Sequence, residues 1–366
     1  MRPFTSVHLP NAKVTINACN MQSLITPGEL SIVFQGPVFG KSGEPEHMRF
    51  TKTAVASARQ YHPGAELILS TWEEYATREY LEDIDVDAVV VSKDPGAFHR
   101  KDNPLTLNNV NRMIVSSING LGRATRRYAI KTRSDVRFLH GRGVLHFGRF
   151  READRYYKVL DEKVCVSNRT TINPRRLYPL PYHICDWYFL GLRSDLIEIF
   201  NIELSPEPLY TRWFESRKKP ANDFDPANYS RYMAEDYVWS TFLKKKRKIN
   251  HEFYCDISPA AIEESERFIA NNLIVLSNVA LGIEALKYPG YCAPHLLKCY
   301  TWREWQKLYA LHAGGPPVAG WDAELAINFS AHWLHLATAP LFPLVRPLVR
   351  RWREMRRRPA QPRRAS

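Results

Sequence analysis

Short apolar runs alternate with helical patterns through the first half of the chain. Ser31-Ile32-Val33-Phe34 is a compact β-rich run closed by Gln35-Gly36-Pro37, and a helical pattern follows over Met48–Tyr61. Glu66–Ser70 and Asp87–Val91 read as a second and a third strand, the latter ended by Asp94-Pro95-Gly96. Over Asn108–Leu121, Val110, Met113, Ile114, Ile118 and Leu121 recur at helical spacing on one face. Asn108 or Asn109 can cap that helix and Gly122 suits its end. A fourth strand follows at Tyr128–Lys131. Strands alternating with helices predict an α/β fold with a mostly parallel sheet and short crossovers.

The second half is less regular. Lys163–Ser167 and Asp186–Gly191 read as strands, and Ser194 opens a short helix. Residues 201–230, rich in Pro, Asn and Arg, read as a long functional loop. Ala234–Lys245 reads as a helix whose basic end, Lys244 to Lys248, suits its C-terminal dipole. Trp302, Trp305 and Leu308 form a small helical stripe, read as packing. The expected organisation is an irregular segment 1–29, a main domain 30–255, a smaller helical extension 256–330 and a basic tail 331–366.

Composition narrows the class. With 366 residues and 45% hydrophobic content, the chain can bury a real core and is too apolar for disorder. None of its six cysteines stands in a Cys-x-x-Cys pair, so neither a zinc ribbon nor a redox motif is signalled, and reduced thiols in a cytosolic protein are expected. Residues 1–20 lack the apolar core of a signal peptide, and no apolar run is long enough to span a membrane.

The net charge of +13 is uneven. Arg346–Ser366 holds nine arginines and one acid, Glu354, which contributes +8 and leaves +5 for the rest. The preceding residues 324–345 are rich in Leu, Phe and Trp, with Pro340 and Pro343 breaking any long helix. Apolar bulk beside clustered arginine is the composition of a segment lying on an anionic membrane. A cytoplasmic protein, peripheral on the inner face of the cytoplasmic membrane, is therefore expected. The alternatives are a disordered basic tail, or a non-catalytic nucleic-acid binder that uses the arginines on phosphates. Against the latter, only Trp352 is interleaved with the basic run.

Candidate chemistry centres on Arg127–Asp135, a strand that stops in two bases and an acid. Ligands of open α/β sheets bind just beyond such strand ends. There Lys131 and Arg133 can meet phosphate oxygens, and Asp135 can hold a metal or a ribose hydroxyl; the plain alternative is a solvated charged turn. Gln35-Gly36-Pro37 suits a nucleotide resting on the tip of the first strand. Asn108, Asn111, Arg112 and Asn119 put polar groups on the flank of an apolar helix, either as a solvated face or as a polar wall beside the fourth strand with Arg112 available to a diphosphate. Glu235 shares a helical face with Val238, Trp239 and Phe242, while Asp236 lies about 100° round beside Ser240. A carboxylate facing the core is costly unless used, and burial raises its pKa toward general-base work. Asp186-Trp187 pairs an acid with a flat ring, which suits sugar recognition; the alternative is that Trp187 is simply core. Gly36–Ser42 is a near miss for a phosphate-binding loop of a kinase or NTPase: three residues separate its glycines instead of four, and Pro37 removes an amide.

Taken together, Ser31–Pro37, Leu69-Ser70-Thr71-Trp72, Asp94-Pro95-Gly96, Asn109-Val110-Asn111-Arg112, Lys131–Asp135 and Asp186-Trp187 resemble the WavE lipopolysaccharide synthesis family over roughly residues 30–250. The resemblance implies a GT-A-like, Rossmann-like glycosyltransferase that moves a sugar from a nucleotide-sugar donor to a lipid-linked or lipopolysaccharide acceptor. It implies that Gln35-Gly36-Pro37 contacts the nucleotide and that Asp135 takes the metal- and ribose-binding position. Asp186 and Trp187 would line a sugar, and Glu235-Asp236 would supply the base of an inverting enzyme. A full Asp-x-Asp metal motif is absent, because Arg137 stands at the second acid. Arg137, Arg133 and Lys131 would then neutralise the leaving diphosphate, and dependence on manganese or magnesium stays open.

Overall fold

The computed structural model describes residues 25–99, 107–176, 178–221, 223–225, 228–288 and 297–323, with Leu325, Ala326, Phe329, Ser330 and Trp333 beyond them. In chain order the first half comprises β1 (Leu30–Gln35), α1 (Phe50–Tyr61), β2 (Glu66–Trp72), α2 (Arg78–Leu81), β3 (Ala88–Ser92), β4 (Phe98–His99), β5 (Leu107–Asn108), α3 (Val110–Arg123), β6 (Tyr128–Arg133) and β7 (Val136–Phe138). The second half comprises β8 (Val164–Ser167), β9 (Tyr188–Leu192), α4 (Arg193–Phe200), α5 (Ala234–Lys246), α6 (Pro259–Asn272), β10 (Leu273–Leu276), α7 (Asn278–Leu281), β11 (Ile283–Ala285) and α8 (Trp302–Ala313).

Seven strands form one sheet in the order β10-β8-β9-β6-β1-β2-β3. Only β9 runs antiparallel to its neighbours. The fold is therefore α/β with a mostly parallel sheet, consistent with the expected GT-A-like architecture. Every residue of β1 is buried, as a strand covered on both faces must be. At the β3 edge the cover thins, and Val89 and Val91 are exposed.

The extension expected over 256–330 is not separate. β10 is the edge strand of the same sheet, paired with β8. Trp305 of α8 is buried and its indole N–H donates to the carbonyl of Leu273 at 2.9 Å. Leu273–Leu276 is only four residues long and gains its strand hydrogen bonds from β8. β11 pairs antiparallel with β7. The chain then leaves β11 with the Leu286 N–H donating to the Asp135 carbonyl at 2.8 Å. That bond delivers Lys287 and Tyr288 to the carboxyl ends of the central strands. The tail over 334–366 lies outside the described residues.

Helix α3 lies on β1 and β2 through Gly120. A Cβ there would collide with Val33 Cγ1 and lie 2.9 Å from Ser70 Cβ. Glycine in a helix costs about 0.5–1 kcal/mol relative to alanine, so close approach is what this one supplies. Gly122, two residues on, has nothing within 4 Å of its Cβ position. Gly120→Ala should lower stability by about 1–3 kcal/mol through overpacking, whereas Gly122→Ala should raise it by about 0.5–1 kcal/mol. Urea unfolding midpoints check the opposite signs; equal shifts would refute the close-packing account.

Candidate functional site

The chain order of the sheet reverses at β1, which has β2 on one side and β6 on the other. A crevice opens outside the carboxyl ends at such a switch point. Its floor is tied across three strands. Gly36 N–H donates to Ser70 O at 3.0 Å, Ser134 N–H to Gln35 O at 3.0 Å, and Ser134 Oγ to Pro37 O at 2.6 Å. Gly36 needs its φ of +118° to make the turn. Ser116 Oγ donates to Gln35 Oε1 at 2.6 Å and holds that amide at the crevice wall.

Two clefts meet here. One, of about 360 Å³, is lined by Gln35-Gly36-Pro37, Trp72, Tyr75, Arg112, Arg133, Asp135 and Asp186, with Lys287 and Tyr288 on its far wall. The other, of about 450 Å³, shares Arg133 and Asp186 and continues to His183, Trp187, Tyr232 and Glu235.

Arg133 is the hinge between them. It donates from Nε to Asp135 Oδ1 at 2.9 Å and from Nη2 to Asp135 Oδ2 at 2.7 Å. Its guanidinium lies 5.4 Å from the Trp187 ring centroid and 5.5 Å from that of Tyr288. Burial alone would weaken its charge; the two bonds it donates to Asp135, with that carboxylate's charge, outweigh this and hold its pKa above the ordinary value. Asp135 is fully buried, with both oxygens taken. A divalent cation would have to displace the guanidinium, and no group of three His, Cys, Asp or Glu among the described residues surrounds it. The donor set therefore fits an arginine clamp and does not fit a metal site.

Three other residues lie away from the place the sequence suggested. Lys131 precedes Arg133 by two residues on the same strand face, about 6–7 Å deeper. It is buried, donates to the Asp186 carbonyl at 2.6 Å and lines neither cleft. Burial lowers its pKa to about 8. Asn111 faces the 201–230 loop, donating to Ser205 O at 3.0 Å and accepting from Ser205 N–H at 2.7 Å. Arg137 is held across β7 and β11 by Glu284 at 2.7 Å. Arg112 does line the first cleft, braced by Asp94 through an Nε–Oδ1 bond of 2.7 Å. The near-miss phosphate loop opens no helix N-terminus, since a 3₁₀ turn and α1 begin only at Glu46 and Phe50; its Lys41 pairs with Glu79 at 2.9 Å.

The acids of α5 separate. Glu235 keeps a quarter of its side chain exposed and lines the second cleft, 3.5 Å from His183 Nε2. His183 Nδ1 lies 2.8 Å from the Thr170 carbonyl, which can only accept, so Nδ1 carries the proton and Nε2 faces the acid. Asp236 is fully buried, because α5 is covered nearly all round rather than along one stripe. Its carboxyl faces His251, with Nε2 at 3.5 Å. Burial, then Glu235, raises the Asp236 pKa well above the carboxylate range. Burial lowers His251 to about 3. The pair is held neutral. The Asp186 carboxylate, on the boundary of both clefts, makes no hydrogen bond or ion pair among the described residues.

His183, Lys287 and Tyr288 reach the site without any local signal: one is an isolated histidine and the others follow a three-residue strand. The WavE lipopolysaccharide synthesis family model matches residues 30–338. The chain belongs to the WavE lipopolysaccharide synthesis family. The match extends well past residue 250, as the sheet does, so this WavE chain carries the family pattern through α8. A comparison with curated proteins gives no match.

Asp236 sets a pH signature for the WavE chain. The unfolded carboxyl ionises near its ordinary value of 3.8 while the folded one keeps its proton. Above that pH the native state binds more protons, so stability is highest below it and falls as pH rises. His251 runs the other way, losing stability as pH falls below 6.5. Asn at 236 keeps a donor toward His251 and removes the first slope. Asp236→Asn should therefore gain stability over the parent at pH 8 and not at pH 4. Denaturation midpoints at the two pH values check this; parallel profiles would mean that Asp236 is ionised in the fold.

Proposed function

We propose that the protein is a glycosyltransferase of lipopolysaccharide assembly that transfers a sugar from a nucleotide-sugar donor, with Glu235 as general base. The observation that carries this reading is the meeting of two clefts at Arg133, one walled by the Gln35–Pro37 turn and the other by Glu235. The nucleotide rests on the turn against Tyr75, and the diphosphate lies between Arg112, Arg133 and Lys287. The acceptor saccharide lies in the second cleft against Trp187. Its hydroxyl gives its proton to Glu235, the oxygen bonds to the anomeric carbon, and the bond from that carbon to phosphate breaks. The electron pair leaves with the nucleoside diphosphate, whose charge the arginines stabilise. Such a single displacement inverts the anomeric centre. Asp135 acts through Arg133, fixing its guanidinium in place before substrate arrives.

Glu235→Gln should lower the transfer rate by about 10²–10⁴, the range for a lost general base, with donor binding retained. If that variant turns over like the parent, the base is the unpaired Asp186. A thermal-shift series of nucleotide sugars tests the donor reading separately. Donor at a hundredfold excess over its dissociation constant should stabilise the protein by about 2.7 kcal/mol, and manganese should add nothing if Arg133 replaces the metal. Stabilisation only with manganese would overturn the arginine clamp.

Among the described residues no helix is long and apolar enough to cross a membrane. The nine arginines of 346–366, each worth about 1 kcal/mol near an anionic surface, support peripheral docking on the inner face of the cytoplasmic membrane, where a lipid-linked acceptor would be met. Full-length protein should sediment with anionic vesicles and be released by high salt or by deletion of 331–366. Equal binding of intact and truncated protein would refute the anchor.

A further inference from the structure

Behind the second cleft lies another pocket, of about 710 Å³. Tyr232 is the wall common to both. Tyr210, Tyr232 and Tyr237 lie around it, their ring centroids 5.6–6.0 Å apart. Three bases line the same pocket. Arg231 sits 4.8 Å from the Tyr210 centroid and 5.2 Å from that of Tyr232. Lys244 Nζ lies 4.9 Å over the Tyr232 ring and donates to its hydroxyl at 2.8 Å. Lys245 Nζ donates to Asn201 O at 2.5 Å.

None of the three makes an ion pair among the described residues; their partners are carbonyls, phenols and ring faces. Like charges gathered without a carboxylate partner repel unless an anion joins them. Burial first, and then Arg231, lower the Lys244 pKa to about 8, against the opposing pull of Asp236, Glu252 and Asp256. The pocket also holds one acid, Glu203, and, besides the three phenols, the hydroxyl of Thr241. An acid would repel a polyphosphate but accepts bonds from hydroxyls. Aromatic faces, hydroxyl partners and a surplus of positive charge together describe a polyol with a single anionic group.

We infer that this pocket is a second saccharide site, which binds an anionic sugar unit, phosphorylated or carboxylated, of the acceptor at a distance from the reacting hydroxyl. The inference rests on the acceptor side of the function proposed above, and it names that acceptor as negatively charged. The site is separate from the donor cleft, so it is measurable without donor or turnover.

The test is an NMR titration of the full-length protein with glucuronic acid, glucose 6-phosphate and glucose. Either anion should bind, perturbing tyrosine and arginine signals of this pocket, while glucose binds at least about tenfold more weakly, as expected for a lost charge-assisted hydrogen bond. The tighter of the two anions identifies the acidic group. Lys244→Gln should weaken the anion by about tenfold. In the parent, binding should fall as pH rises through 8, whereas Lys244→Arg should hold it to pH 9. Lys244 is exposed as a whole residue, and it is its ammonium end that turns in onto the Tyr232 hydroxyl, so these variants should fold. Equal binding of glucose, unchanged binding by Lys244→Gln, or no binding of either anion would overturn the site. A failure of nucleotide sugars to stabilise the protein would count against the donor reading and leave this result untouched.

Discussion

The buried ion pair between Arg133 and Asp135 is the constraint on which the site depends. The central strand β6 runs between covered faces and ends in charge, and charge taken out of water must be matched. Asp135 meets Arg133 with two bonds, and the aromatic rings of Trp187 and Tyr288 close over the guanidinium. The strand can thus end in a cation that is already oriented. Neighbouring strand ends are locked to it by the Ser134 bonds to Gln35 and Pro37. Removing either charge would leave the other desolvated and alone, which is far more costly than losing the attraction itself.

The same rule divides the acids of α5. Both stand in the first helical turn, and helix dipole arguments treat them alike. Their surroundings do not. Glu235 opens on a cleft and stands beside a histidine whose tautomer is fixed from behind. Asp236 is enclosed with His251 and keeps its proton. One carboxyl faces a cleft and the other the core, although both head the same helix.

Composition of the C-terminal region suggests an appendage, yet the described part completes the sheet and the crevice at its carboxyl ends. β10 closes one sheet edge, and β11 carries Lys287 and Tyr288 to the crevice. Each is a run of three or four residues. Such runs gain nothing until a partner strand supplies hydrogen bonds, so their meaning is tertiary.

Periodicity determined β1, β2, β3 and β6 and the amphipathic α3, because a buried strand or helix face must be apolar at its own repeat. The strand-end charges at Arg133 and Asp135 and the Gln35–Pro37 turn were legible for the same reason: they interrupt apolar runs where a switch point falls. Folding alone decided that Lys131, two residues from Arg133, lies too deep to reach the cleft, and that Asn111 clasps a loop. It alone brought His183 to Glu235 and gathered Arg231, Lys244 and three tyrosines around one pocket. Sequence carries local periodicity and local charge. Which polar groups end up sharing a desolvated space depends on contacts between residues far apart along the chain.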